Sequence, residues 1–538
     1  MMAGPLVGGN WGIGWVRAIV GAFVVCLVVQ YLVGKLLPEV LASIIAWGAF
    51  ALVMVAVWRI NSRAGRNELL GSARFGSRDD VRGLESGDGD LLIGRSAKSG
   101  KLLRYGGPAH LLTMAPTRSG KGVGTIIPNL LTLDRSVICI DPKGENARVT
   151  ARARAAKGKV WCLDPFEVSG QPPARYNPLD RLDPASLDLA EDAMTLADAL
   201  VHDPAGQGGE AHWNEEAKAL IAGLILYTVV HEDSEHRTLA TVREYLTLAP
   251  KAFADLLTLM QDSRGAGGLI ARAANRQLGK SDREAAGVLS SAQRHTHFLD
   301  SPRIVASMAA SDFTFAGLKE GVSTVFLCLP PDRLDAYARW LRLLVAQALT
   351  DMARSPVKPA RPVLFLLDEF AALGRLEPVE RAMGLMAGYG LQLWPILQDM
   401  HQLRALYGER AGTFMSNAGV FQAFGVNDLA TAELLSKTLG QETLEYQTAG
   451  YSQGSRIGGA KLTQSASTHI SARNLMNPDE IMRMPPTDQL ASPQGLFARQ
   501  RFLGHKRNMG YATRFNRAIG SLSGWNSPAG SRLACSQR

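Results

Sequence analysis

The run Ala115-Pro-Thr-Arg-Ser-Gly-Lys-Gly122 constrains this chain more than any other feature. It is entered from the apolar segment 110–114 and left through Val-Gly-Thr-Ile-Ile-Pro, so it reads as a tight passage from a strand into a helix. In such a loop, backbone N–H groups and a helix N-terminus converge on one point and form a cradle for phosphate. Lys121 would reach the β- and γ-phosphates of a nucleotide as a point charge, and Gly120 and Gly122 let the backbone come close. Two positions depart from G-x-x-x-x-G-K-[ST]: Ala115 replaces the first glycine, and Gly122 stands where a hydroxyl would ligate Mg²⁺. The alternative is a glycine-rich turn with an exposed lysine. On the phosphate reading, the nucleotide contacts are Pro116, Thr117, Arg118, Ser119, Gly120, Lys121, Gly122 and Val123.

A second element, Pro362-Val-Leu-Phe-Leu-Leu-Asp-Glu-Phe370, reads as a fully buried strand that ends in two carboxylates, the Walker B pattern. A parallel strand of this kind opens onto the same sheet edge as the phosphate loop. Asp368 would then hold Mg²⁺, directly or through water, and Glu369 would orient or deprotonate the attacking water. A third apolar strand, 391–398, places Gln398 at its C-terminal end, as a γ-phosphate sensor or as a cap on the next helix.

Strand-like runs recur at 110–114, 136–141, 159–164, 323–329, 363–368, 391–398 and 419–424, several of them followed by helical patterns. The alternation predicts an open, mainly parallel α/β sheet with crossover helices. Between Asp180 and Gly321 the pattern is helical throughout, at 188–202, 213–230, 250–260 and 283–298, and predicts an all-α domain inserted into the sheet domain. Trp213, at the start of one of those helices, reads as a core anchor. If the strand 136–141 neighbours the phosphate-loop strand, Asp141 and Glu145 face the nucleotide edge. They would support magnesium or cap the following helix, and capping suits Glu145 better. The stretches 203–209 and 448–468, and the end after Gly520, read as flexible.

The N-terminus has a different character. Apolar runs at 18–34 and 38–58 each approach the ~20 residues that span a bilayer. Arg17 before the first and Arg59, Arg63 and Arg66 after the second place both termini in the cytoplasm by the positive-inside rule. A signal peptide fits poorly, since a second long apolar run follows at once. Five cysteines without a C-x-x-C pair read as reduced thiols, and no zinc spacing appears. The formal charge of +9 is uneven, because residues 491–538 hold seven Arg and one Lys with no acid. Aromatic residues interleave that basic end, which suits phosphate contact and base stacking or an anionic membrane face.

The chain resembles the type IV secretion coupling proteins of the TraG/TraD family. The resemblance covers roughly residues 68 to 505 and rests on the apolar hairpin, Gly71-Ser-Ala-Arg-Phe75, the phosphate loop, Asp141-Pro-Lys-Gly-Glu145 and Tyr176-Asn-Pro-Leu179. It continues with Leu367-Asp-Glu-Phe-Ala-Ala-Leu-Gly374, Ala387-Gly-Tyr-Gly390, Gln398 and Arg473-Asn-Leu-Met-Asn-Pro-Asp-Glu-Ile481. Both departures in the phosphate loop are familiar in that family. The resemblance implies a RecA-like P-loop NTPase domain in two parts, 67–180 and 321–505, with an inserted all-α domain at 181–320. An N-terminal two-helix transmembrane hairpin, 1–66, precedes it and a basic tail, 506–538, follows it.

It further implies a multi-pass protein of the bacterial inner membrane, working as a homohexamer with ATP and Mg²⁺. Such a motor would deliver relaxase-bound single-stranded DNA to a type IV secretion channel. In such rings an arginine from the neighbouring subunit completes the site; Arg375, Arg381 and Arg473 are candidates without a distinguishing signal. Two other readings stay open: a motor that recruits protein effectors, and a docking scaffold that binds nucleotide with little turnover. A septal chromosome translocase is more distant, given the hairpin and the all-α insert.

Overall fold

The computed structural model describes residues 11–35, 38–63, 68–85, 87, 91–96, 99–201, 211–454, 461–493 and 500–505. The basic tail, the stretch 203–209 and Arg66 lie outside the described residues, as do the side chains of Arg17, Arg59 and Arg63. The chain divides into two compact units, Met1–Ser72 with Gln441–Arg473, and Ala73–Gly440 with Asn474–Arg538.

The larger unit is built on a ten-stranded sheet. In chain order the first ten strands of the chain are β1 (Arg74–Phe75), β2 (Leu91–Arg95), β3 (Leu102–Tyr105), β4 (His110–Met114), β5 (Val137–Ile140), β6 (Lys159–Leu163), β7 (Ser323–Leu327), β8 (Val363–Leu367), β9 (Leu391–Leu397) and β10 (Ala418–Ala423). The chain's last four strands are β11 (Gln441–Gly454), β12 (Lys461–Asn474), β13 (Asp488–Pro493) and β14 (Gln500–His505). The sheet runs in the order β1-β14-β13-β10-β4-β9-β8-β5-β7-β6, while β2 and β3 form a separate hairpin. From β10 to β6 every pairing is parallel. On the other flank β13 runs antiparallel to β10, β14 antiparallel to β13, and β1 parallel to β14 at the edge.

Continuous burial of β4, β5, β8 and β9 explains why these strands read as unbroken apolar runs: both sheet faces are covered. Alternation still sorts the side chains. Leu112, Met114, Ile138, Ile140, Phe365 and Leu367 enter one core, and Leu111, Val137, Cys139, Leu364 and Leu366 enter the other. The strand 136–141 does not neighbour the phosphate-loop strand: β8 and β9 lie between β5 and β4. The chain leaves β4 by a crossover that skips two positions, and these are filled only after the helical stretch returns.

That stretch carries helices at Leu189–Leu200, Ala211–His231, Leu239–Leu246, Pro250–Gln261, Leu269–Leu278, Asp282–Thr296 and Pro302–Ser307. Its buried residues, among them Leu220, Ile225, Val242 and Val288, are continuous with the first of the two sheet cores. Gly287 leaves room for the ring of Trp213, since a Cβ there would lie 2.6 Å from it.

In the smaller unit, helices Trp11–Gly34 and Glu39–Arg63 lie along each other. Small residues, Ala22, Cys26 and Ala46, are buried, while Phe23, Leu27, Leu32, Leu41, Ile44 and Trp47 point outward. This inverts the usual arrangement of a helix pair in water. Among the described residues no helix is long and apolar enough to cross a membrane. Within the stretch read as flexible, 448–454 and 461–468 lie in strands: β11 and β12 pair as a two-stranded ribbon, with Tyr446 stacked on His469 at 5.5 Å between ring centres. At 441–450 and 467–470 most side chains are exposed, so backbone pairing and cross-strand contacts hold this part without an apolar period in the sequence.

Candidate functional site

The phosphate loop inherits its position from β4. Ala115 N donates to Leu397 O at 2.8 Å, so the parallel ladder with β9 extends to the first residue of the loop. Beyond it the backbone is forced: Arg118 has φ +61 and Gly120 φ +83, and Ser119 N donates to Pro116 O. The first helical turn after Lys121 is wide, since Ile127 N donates to Gly122 O, five residues back. Pro128 explains the widening, because its ring would otherwise press on the carbonyl four residues earlier.

The loop after β10 supports it from the side. Gly425 has φ +64, and a Cβ there would come within 2.9 Å of Ser119 Cβ. Sequence reasoning missed this glycine, although it directly follows the strand-like run 419–424. At Gly122, by contrast, a Cβ would meet nothing within 4 Å.

Lys121 reaches across the sheet edge to the end of β8. Its Nζ lies 2.5 Å from Glu369 Oε1 and 3.1 Å from Asp368 Oδ1. Burial works against the lysine's charge, yet the two carboxylates hold its pKa above the ordinary value. Burial pushes the Asp368 carboxyl up, and Lys121 opposes that shift. Glu369 occupies the left-handed region, φ +51 and ψ +44, which costs a non-glycine residue about 1–2 kcal/mol. Gln398 Nε2 donates to Glu369 Oε2 at 3.4 Å. Asp399, not Gln398, caps the following helix Met400–Tyr407 by accepting from Gln402 N at 2.8 Å.

A cleft of about 420 Å³ opens over these groups, lined by Thr117, Arg118, Gly120, Lys121, Gly122, Val123, Ile127, Asp141, Pro142, Lys143, Glu145, Asn146, Asp368 and Glu369. Asp141 reaches it although two strands separate β5 from β4, because β5 and β8 are neighbours with Ile140 opposite Leu367. The helix Glu145–Ala155 is capped by Asp141, whose Oδ2 accepts from Ala147 N at 2.8 Å; the cap expected of Glu145 comes from the earlier carboxylate. Burial raises the pKa of Asp141 to about 6, helped by the like charges of Asp368 and Glu145 and opposed by the backbone N–H groups of Ala147 and Asn146. Among the described residues no group of three His, Cys, Asp or Glu side chains forms a ready metal cluster.

The site therefore gathers Lys121, Asp368, Glu369 and Gln398 at one edge, and neither Arg375 nor Arg381 lines its cleft. Arg375 pairs with Glu377 at 3.4 Å and Glu380 at 3.9 Å, Arg381 is exposed, and Arg473 belongs to the other compact unit.

Residues 71–496 match the family described as type IV secretory system conjugative DNA transfer. A conjugal transfer protein TraG of Escherichia coli is 32% identical over 485 residues, covering 81% of this chain and 74% of that protein. Protein VirD4 of Agrobacterium fabrum is 32% identical over 372 residues, covering 66% of this chain and 53% of its own. Among solved structures, the bacterial conjugative coupling protein TrwBdeltaN70 superposes with a TM-score of 0.62 at 19% identity, covering 82% of this chain and 94% of its own. TrwB in complex with the non-hydrolysable ATP analogue ADPNP gives 0.61 at 17% identity, covering 84% and 98%. TrwB in complex with ADP and Mg²⁺ gives 0.61 at 19%, covering 82% and 94%. These likenesses place the larger unit in the RecA-like P-loop α/β fold.

Proposed function

Since the chain belongs to the type IV secretory conjugative DNA-transfer family, we propose that it is a membrane-anchored ATPase that couples relaxase-bound single-stranded DNA to a type IV secretion channel. The observation that carries the reading is Lys121 held between Asp368 and Glu369, with Gln398 on the far oxygen of Glu369. A lysine so placed is available to the β- and γ-phosphates once they draw it from the carboxylates. Glu369 is then free to take the proton of an attacking water, and Gln398 to orient that carboxylate. Pro116 to Val123 wrap the phosphates through backbone N–H groups.

The donor set fits Mg²⁺: half-buried Asp368 needs a cation beside it when Lys121 departs, and the cleft keeps Asp141 and Glu145 nearby. When bound, the ion screens the phosphate charge. Gly122 offers no hydroxyl, so Asp368 and water would hold it.

The outward apolar faces of helices Trp11–Gly34 and Glu39–Arg63 support a hairpin anchor in the bacterial inner membrane with both termini cytoplasmic. The parts are then an anchor at 1–66, a nucleotide domain at 67–180 and 321–505, an all-α cargo-facing part at 181–320 and a basic tail at 506–538. A homohexameric ring would place nucleotide between subunits and DNA along the centre. ATP hydrolysis by the full chain in bilayer discs, with and without single-stranded DNA, tests the proposal. Stimulated turnover that disappears in Lys121→Ala is the expected result; turnover indifferent to both overturns it.

A further inference from the structure

Helix Leu334–Arg354 is buried almost all round between Trp340 and Leu349, yet one of the residues inside that span is an arginine. Arg342 is 6% exposed and, among the described residues, pairs with no carboxylate. Burying a guanidinium without a counter-charge is costly, and a leucine or methionine would fill the volume at less cost. Burial lowers its pKa to about 10. What it does instead is hold backbone: Nη1 donates to Leu373 O at 2.6 Å and to Arg375 O at 2.7 Å.

Those carbonyls belong to the segment that leaves Glu369. After the left-handed Glu369, the short turn Phe370–Leu373 is closed by Ala372 N on Glu369 O at 2.9 Å. Gly374 then takes φ +65, and Leu376 N is held by Tyr407 Oη at 3.1 Å. The conformation of Glu369 is thus fixed on one side by β8 and on the other by a turn whose far end hangs on Arg342.

The same helix is tied at its other end to the helical stretch. Arg181 Nη1 donates to Asp351 Oδ1 at 2.6 Å, and its Nη2 lies 3.0 Å from Asp192 on helix Leu189–Leu200. Asp192 also pairs with Arg354. Tyr176 donates its hydroxyl to Asp351 at 3.2 Å. Nearer its start, Arg339 Nη2 donates to His295 Nδ1 at 3.5 Å.

We propose that Arg342 is a positioning residue that sets the orientation of Glu369 through the Leu373 and Arg375 carbonyls, and that its helix links this orientation to the placement of the all-α part. The inference rests on the ATPase reading given above. A packed helix with ion pairs at one end and a backbone clamp near its middle moves as a body, so a shift of helix Leu189–Leu200 reaches the turn after Glu369 without crossing the nucleotide.

The test uses the full chain in bilayer discs. For wild type, Arg342→Lys, Arg342→Gln and Arg181→Ala, one measures kcat and KM for ATP, binding of a fluorescent ATP analogue, melting temperature, and stimulation by single-stranded DNA. Arg342→Lys is expected to lower kcat about tenfold, with KM and analogue binding within twofold of wild type, and Arg342→Gln further. Arg181→Ala is expected to keep unstimulated kcat within twofold and to lose most of the stimulation by DNA. Folded Arg342 variants with unchanged kcat, or with kcat falling only in step with analogue binding, overturn the positioning role. Full stimulation in Arg181→Ala overturns the link, and decides the matter alone if the Arg342 variants do not fold. A wild type that binds the analogue without hydrolysing ATP overturns the ATPase reading itself, and this proposal with it.

Discussion

At the carboxyl ends of β4, β8 and β9, Lys121 sits 2.5 Å from Glu369 and 3.1 Å from Asp368, inside an open cleft. At the opposite ends of β5, β7 and β9, Arg154 is 1% exposed and gives Nη1 to Leu133 O, Nη2 to Arg135 O and Nε to Thr324 Oγ1, at 2.5–2.7 Å. Beside it Arg135 reaches Gln392, whose amide donates to Gly107 O and Ala109 O. Both edges bury cations of the same sheet. One satisfies them with fixed carbonyls that no ligand can displace; the other with carboxylates that a polyphosphate can compete against. The difference teaches that burial of a charge does not mark function, whereas a partner that can be exchanged does.

The largest effect that would break this contrast belongs to Glu369. Glu369→Gln keeps the size and the hydrogen-bond reach of the side chain but removes the base. Turnover should fall about a thousandfold, roughly 4 kcal/mol in the barrier, with nucleotide binding retained. Single-turnover hydrolysis beside equilibrium binding checks it. Retained turnover would mean that the cleft uses another base.

Next in size is a change at the closed edge. Arg154→Met takes the guanidinium donor from Arg135 O and the Thr324 hydroxyl and leaves Leu133 O with Lys157 Nζ alone, and should destabilise the larger unit by about 2–3 kcal/mol. Hydrolysis per folded molecule should not change. Thermal denaturation followed by activity at a temperature well below the transition separates the two effects. Lost activity in a fully folded variant would show that the closed edge also serves turnover and that the two edges do not differ in this way.

How much of this contrast the sequence exposes depends on range. β4, β8 and β9 are legible as continuous apolar runs because both of their faces are buried, and Asp368, Glu369 and Gln398 follow from where those runs stop. The slot of β5, separated from β4 by two strands, is not legible, because strand order is decided by crossovers that pack later in the chain. Nor could spacing say that Asp141 caps its helix and that Glu145 does not, since either carboxylate sits near the helix start. Arg154, in the last turn of helix Glu145–Ala155, carries no sequence signal of its buried partners, which only the three-dimensional structure reveals. The pairing of β11 with β12 is hidden for another reason: its described side chains at 441–450 and 467–470 are mostly exposed, and an exposed pair of strands leaves no hydrophobic period to read.

Asp141 sharpens the comparison through pH. Its folded pKa is raised to about 6 from the ordinary 3.8 by burial, with Asp368 and Glu145 adding to the shift. A raised carboxyl binds its proton more tightly in the folded state. That contribution to stability is complete below pH 3.8 and is lost as the pH climbs through 6. Asp141→Asn keeps an acceptor for Ala147 N and carries no charge. It should be more stable than wild type by about 2 kcal/mol at pH 8 in the absence of nucleotide, and equal to it near pH 4. Melting curves of both proteins across that range check the sign; a gap that widens toward acid would refute the assignment.

The smallest expected effect concerns the departure at Gly122. A Cβ there meets nothing within 4 Å, so a serine fits without moving the loop. If Asp368 and water already hold the metal, the added hydroxyl brings one more oxygen to a shell that does not require it. Gly122→Ser should lower the Mg²⁺ concentration for half-maximal hydrolysis about twofold and leave kcat within threefold, since exchanging one of six or so oxygen ligands on a hydrated ion changes its binding only slightly. Titrating Mg²⁺ at saturating ATP reads both numbers. A tenfold fall in kcat would show that the loop needs a bare backbone at this point, as it does at Gly425 against Ser119, and that Gly122 is required for close approach to phosphate. A tenfold rise would show the opposite: that the native metal shell is one ligand short, and that slow turnover is a property of the chain as it stands.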